Sequence, residues 1–120
     1  MSAEKKNLKT EMDPKVFKKE LQNRISEGKE IRKKTVDRLS DMEYYEKKFN
    51  IWNNQNLDLF KKAFGEEENI HISRYKEAGE HQKLEIAKVG EQETLQDHYK
   101  IVRIKLNDKI SELEDIFTKL

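Results

Sequence analysis

The sequence predicts an all-α protein: an antiparallel helical hairpin packed against a long C-terminal helix as a small helical bundle. Three observations predict it. Of the 120 residues, 41% are charged and 34% hydrophobic, with one proline and four glycines, a composition that suits long water-exposed helices. Apolar residues recur at three- and four-residue steps through most of the chain. Near the C-terminus those steps alternate as they do in a heptad seam. A chain of this length suits a single domain with a small core. Residues 14–120 are assigned to that domain, and "MSAEKKNLKTEMD" (1–13) to a mobile leader.

Asp13-Pro14 starts the first helix, because aspartate caps and proline is tolerated at the first helical position. Phe17, Leu21, Ile25, Gly28, Ile31, Thr35 and Leu39 then share one face, giving a helix over 14–39. Ser40 with Glu43 fits a capping box and begins a second helix over 41–64. Its face is Tyr45, Phe49, Trp52, Asn56, Leu59, Phe60 and Ala63, and Gly65 is placed to end it in a left-handed conformation. If the hairpin turns at Ser40, Gly28 and Trp52 stand level, each roughly 18 Å from the turn at about 1.5 Å per residue. The largest side chain then faces the missing one, so Gly28 and Trp52 are assigned to core packing. The same rule pairs Ile31 with Phe49, Thr35 with Tyr45, and Leu21 with Leu59.

Between Glu66 and Gln92 the pattern weakens. Ile70, Ile72 and Tyr75 suggest a short helix or turn, and "KLEIAKVG" a short irregular or extended segment near 80–92. From Thr94 onward Leu95, Tyr99, Val102, Leu106, Lys109, Leu113, Ile116 and Leu120 form a seam with one lysine in it. A helix over this stretch is roughly 40 Å long. Its apolar face is wide enough to pack on the hairpin and offer a coiled-coil-like stripe to another chain. Asn56 interrupts the second helix's stripe. It either fixes register or oligomeric state through a paired amide or sits partly exposed.

Few kinds of chemistry find support. Cysteine is absent, which removes disulfides and thiolate metal sites and fits a reducing cytoplasm. No apolar run approaches a membrane span, and the N-terminus lacks the apolar core of a signal peptide. The four isolated glycines make no phosphate loop. His71, His81 and His98 have no zinc-ligand spacing, and a His81/Glu85 pair falls short of a closed site. Glu66, Glu67 and Glu68 lack the spacing of a calcium loop. The expectation is therefore no catalytic residue, no metal and no cofactor.

Net charge is only +1, but it is unevenly spread. Pro14–Leu39 carries nine Lys/Arg against four Asp/Glu, and Gly65–Asp97 four against nine. The two segments either face each other or present opposite poles to partners. Lys29, Arg32, Lys33, Lys34 and Arg38 offer a nucleic-acid contact, although Glu27, Glu30 and Asp37 are interleaved with them. Tyr44, Tyr45 and Trp52 are the aromatics that could stack bases, with Tyr45 and Trp52 on the core face.

A glycine-bearing early helix ("RISEGKEIRKK") precedes a tryptophan helix ending in Phe-Gly and acids ("FNIWNNQNLDLFKKAFGEEE"). A less regular stretch and the terminal "IVRIKLNDKISELEDIFTKL" follow. In this order they resemble helical N-terminal modules of bacterial antiphage-type proteins, modules that precede TIR-like nucleotide-binding or other effector domains. The resemblance spans Phe17 to Leu120, and a pattern still strong at Leu120 suits a module joined to something else. No effector domain is included, so the resemblance implies a scaffold role alone. The expected function is a non-enzymatic interaction or oligomerisation module, binding itself or a protein partner in the cytoplasm. Its contact stripe is Tyr99, Val102, Leu106, Leu113, Ile116 and Leu120. The alternatives are a small nucleic-acid-binding protein using the basic first helix and a phage-encoded protein inhibitor.

Overall fold

The computed structural model describes residues 11–65, 69–80 and 95–120. Among them there are four helices and no strand: α1 (Pro14–Arg32), α2 (Leu39–Phe64), α3 (Ile70–Glu77) and α4 (Leu95–Thr118). They form the expected all-α bundle, measuring 52 × 27 × 22 Å. The expected extended segment near 80–92 lies almost wholly outside the described residues.

α1 begins as its sequence demands. Asp13 caps it, its Oδ1 accepting from the Lys15 N–H at 2.9 Å, and Pro14 opens the first turn. The end of the expected leader is held against the bundle: the Glu11 N–H donates to the Ala63 carbonyl, and Met12 packs on the core.

α1 stops at Arg32, seven residues earlier than the periodicity suggests. Residues 33–38 form the connection, and Thr35 and Leu39, expected on the buried face, are exposed. One tertiary and one local interaction explain the break. Val36 leaves the helical path and is buried in the core. The Asp41 carboxylate then accepts from the N–H groups of Asp37 and Arg38, both at 3.2 Å, so α2 is capped from its own third position. The cap thus lies two residues before the Ser40/Glu43 box that the sequence suggests.

The Gly28–Trp52 register is as expected. A Cβ on Gly28 would stand 2.7 Å from Trp52 Cζ2 and 3.0 Å from Ile110 Cγ1, so α1, α2 and α4 meet at this point. The indole is fully buried, and its Nε1 donates to the Arg24 carbonyl at 2.7 Å. Burying roughly 200 Å² of tryptophan at ~25 cal/mol per Å² is worth about 5 kcal/mol, an upper figure. Gly65 ends α2 with φ 75° and ψ −155°, a region open essentially to glycine, and its N–H closes on Lys61.

α4 lies along α1 and touches α2 and α3. Val102, Leu106, Ile110, Leu113 and Ile116 are buried, and they join Phe17, Leu21, Phe60 and Tyr75 in one core. Asn56 is fully buried, against the alternative of partial exposure. Its Nδ2 donates to Tyr75 Oη at 2.8 Å, and that hydroxyl donates to Asn53 Oδ1 at 2.7 Å. The paired amide therefore fixes α3 against α2 within one chain.

Candidate interaction surface

The contact stripe expected on the C-terminal helix is occupied by the chain itself. Val102, Leu106, Leu113 and Ile116 are buried, and Tyr99 and Leu120 are partly buried against the same core. Tyr99 stacks edge-on with Tyr45 at 5.1 Å, and its hydroxyl donates to the Lys34 carbonyl. The heptad-like steps describe a helix that α1, α2 and α3 already cover, and this corrects the assignment of the stripe to another chain.

The seam's lysine is also explained internally. Lys109 is 3% exposed. Its Nζ donates to the carbonyls of Tyr75 (2.8 Å) and Lys76 (3.1 Å), the last turn of α3, and lies 3.6 Å from Glu80. A cation at a helix C-terminus satisfies orphan carbonyls and complements the helix dipole. Burial pushes its pKa below the usual lysine value, and Glu80 opposes that shift. Burial raises Tyr75 too, well above an ordinary phenol.

The five basic residues proposed for nucleic acid do not form one patch. Lys29 reaches Glu114 at 3.2 Å, and the Arg32 guanidinium donates to Asn107 Oδ1 at 3.2 Å, so these two tie α1 to α4. Arg38 extends into solvent at the start of α2, 3.9 Å from Asp41. Lys33 and Lys34 alone turn towards the hairpin's outer side. Nor does the basic helix pair with the acidic segment in any described ion pair, since Glu80 faces Lys105 and Lys109 of α4.

On that outer side, the end of α1 and the start of α2 enclose a groove of about 500 Å³. Ile31 and Tyr45 supply its apolar lining, and Glu27, Glu30, Lys33 and Lys48 its charged rim. Tyr44 stands 50% exposed at its edge. The ammonium groups of Lys34 and Lys48 each lie 5.4 Å from the centre of the Tyr44 ring, at cation–π distance. Both rim carboxylates are engaged, Glu30 with Lys33 (3.1 Å) and Glu27 with Arg24 (2.6 Å). Neither Lys34 nor Lys48 forms an ion pair among the described residues; Lys34 acts on Asp41 only from beyond contact distance. The Asp41 carboxyl sits below its usual pKa, chiefly because it accepts the Asp37 N–H.

Arg24, bonded to both Gln55 and Glu27, separates this groove from a smaller depression of about 220 Å³ further along the same seam. Glu20, Asp58 and Lys62 bound the second depression. Ile51, 44% exposed, lies on α2 between Lys48 and Gln55. Lys48 is the rim residue that sequence reasoning passes over. Its signal is a Tyr44/Lys48 pair at i, i+4 on the polar face of α2, opposite Lys34 across the turn.

Among the described residues no group of three His, Cys, Asp or Glu converges as a metal ion requires, and no helix is long and apolar enough to cross a membrane. His81 and Glu85 lie outside them, as do Glu66, Glu67 and Glu68. The chain matches no family model, no characterised protein and no solved structure.

Proposed function

We propose that this chain is a non-enzymatic, cytoplasmic interaction module that engages a protein through the outer face of the α1–α2 hairpin. The observation that carries this reading is Tyr44, a half-exposed aromatic held between two lysines at the mouth of a groove with an apolar lining. Exposed aromatics beside partly apolar concavities are where binding energy concentrates at protein interfaces. The buried polar side chains Asn56, Tyr75 and Lys109 hold α3 in place. A scaffold that positions a defence effector in a bacterial cell fits the same surface.

Nucleic-acid binding is the second reading, favoured by the same ring and lysines, which suit a stacked base and its phosphates. It is the weaker one, because Lys29 and Arg32 face α4. A photo-crosslinking residue at position 44, with a control at exposed Ser111 on α4, tests the proposal in the native cell. The expected result is a discrete protein adduct at 44 that is absent at 111 and lost in Lys34→Glu/Lys48→Glu. Equal labelling at both sites, or a nucleic-acid adduct at 44, overturns it.

A further inference from the structure

We infer that the occupant of the hairpin groove is an acidic, amphipathic helix, whose carboxylates meet Lys34 and Lys48 while an apolar side chain packs on Tyr44 and Ile31. The inference rests on the reading of this face as a protein-docking surface and adds the chemistry of the partner. The argument is one of charge complementarity. Of the groove's charged side chains, Glu30 is neutralised by Lys33 and Glu27 by Arg24. The uncompensated charge is the pair of ammonium groups flanking Tyr44. A partner that brings two carboxylates a helical turn apart neutralises both, because residues three or four apart on a helix are surface neighbours. The concavity lies between two antiparallel helices, and a third helix laid along it extends the bundle by the same packing that seats α4.

A phosphate backbone fits the face less well. Following the seam, it would leave the two lysines, pass Glu27, and meet Glu20 and Asp58 at the second depression. A protein helix with charges of both signs matches that order: acidic residues at the turn end, an apolar residue at the level of Ile51, and mixed charges beyond it.

A displayed library of helical peptides, selected on the immobilised full chain, tests this. Lys34→Glu/Lys48→Glu serves for counter-selection, and a labelled 20-nucleotide DNA is measured in parallel. Because both lysines are on the surface, circular dichroism and melting of the variant stay those of the parent. The expected peptides carry paired carboxylates three or four residues apart with an apolar residue beside them. They bind the variant roughly tenfold more weakly, as two exposed ion pairs become repulsions. Lys34→Ala/Lys48→Ala gives a smaller loss of the same sign. Enriched peptides without acidic bias, or retained equally by the variant, overturn the acidic occupant and leave the docking surface standing. Salt-sensitive DNA binding tighter than any peptide, and lost in the variant, overturns both. A selection that enriches no peptide on the parent chain also overturns both.

Discussion

Replacing Tyr75 with phenylalanine removes one oxygen atom and two hydrogen bonds. The hydroxyl accepts from Asn56 Nδ2 and donates to Asn53 Oδ1. Asn53 is only partly buried, so water can replace the hydroxyl there at little cost. Asn56 is fully buried, and its Oδ1 already has no hydrogen-bond partner among the described residues. Without Tyr75 the whole amide is orphaned. A buried donor left unpaired costs about 1–3 kcal/mol, so Tyr75→Phe is expected to lose about 2 kcal/mol. For a domain of this size that lowers Tm by roughly 8 °C. Tyr45 supplies the control: its hydroxyl is buried with no hydrogen-bond partner among the described residues, so Tyr45→Phe strands none of them and is expected to be neutral or up to ~1 kcal/mol stabilising. A third variant, Tyr75→Phe/Asn56→Leu, replaces both partners with apolar groups of similar shape and is expected to recover at least half of the loss. Urea and thermal unfolding followed by circular dichroism measure all three. Equal stability of the two single variants, or no recovery in the double, would show that the network does not hold α3 to α2.

Gly28→Ala gains about 1 kcal/mol of helix propensity but places a methyl 2.7 Å from the indole, and overpacking costs about 1–3 kcal/mol. A net loss near 1 kcal/mol is expected, with a shifted tryptophan emission; Gly28→Leu loses far more, and a fully stable Leu variant refutes the packing. Lys109→Met strips the donor from two carbonyls at the end of α3, and a loss of about 1–3 kcal/mol is expected. Amide exchange should quicken over 70–80 ahead of α1 and α2, and unchanged exchange there refutes the capping role. Alkaline pH acts through three groups. Burial, then Tyr99, raises Tyr45 from 10 to about 12, so its contribution is intact below pH 10 and is lost as pH climbs through about 12, up to ~3 kcal/mol. Tyr75 acts with the same sign, whereas Lys109, lowered by burial, makes stability rise with pH up to its unfolded value of 10.5. Stability should therefore fall steeply only above pH 10, and less so in Tyr45→Phe; an identical alkaline limb in that variant argues against the assignment.

The sequence shows clearly what helical periodicity controls. Pro14, Gly65, the Gly28–Trp52 level and the terminal helix are all readable, because each follows from local geometry or from a spacing counted along one helix. The end of α1 was not readable in the same way. The pattern continues through Thr35 and Leu39, and the break depends on Val36 finding the core and Asp41 capping from across the turn. The first is a tertiary outcome, and the second is a local bond over three to four residues that the continuing helical pattern conceals. The C-terminal stripe misled for a related reason: a wide apolar face states how much surface a helix must bury, not which neighbour buries it. Three neighbours within the chain proved enough. The groove was half visible, in Lys33, Lys34 and Tyr44; what only the fold supplies is the placing of Tyr44 and Lys48, neighbours on α2, alongside the end of α1.

Two kinds of polar residue follow from this arrangement. α3 has eight residues, too few to persist alone, and of its large apolar side chains only Ile72 and Tyr75 are buried. Its place is fixed from two sides by polar groups of longer helices: Asn53 and Asn56 on α2, and Lys109 on α4. Desolvating these groups is costly, and directed hydrogen bonds offset that cost, so their position in the core has a structural cause. Lys34 and Lys48 have no such cause. They form no ion pair among the described residues, they cap no helix end, and they flank an aromatic ring that is left half exposed. Their removal is expected to leave stability nearly unchanged, because exposed residues of this kind seldom contribute more than ~0.5 kcal/mol. Side chains that a fold does not need, gathered around a concavity it leaves open, are where recognition can be altered without unfolding the protein. That is why the outer face of the hairpin, and not the more apolar C-terminal helix, is the surface on which to look for a partner.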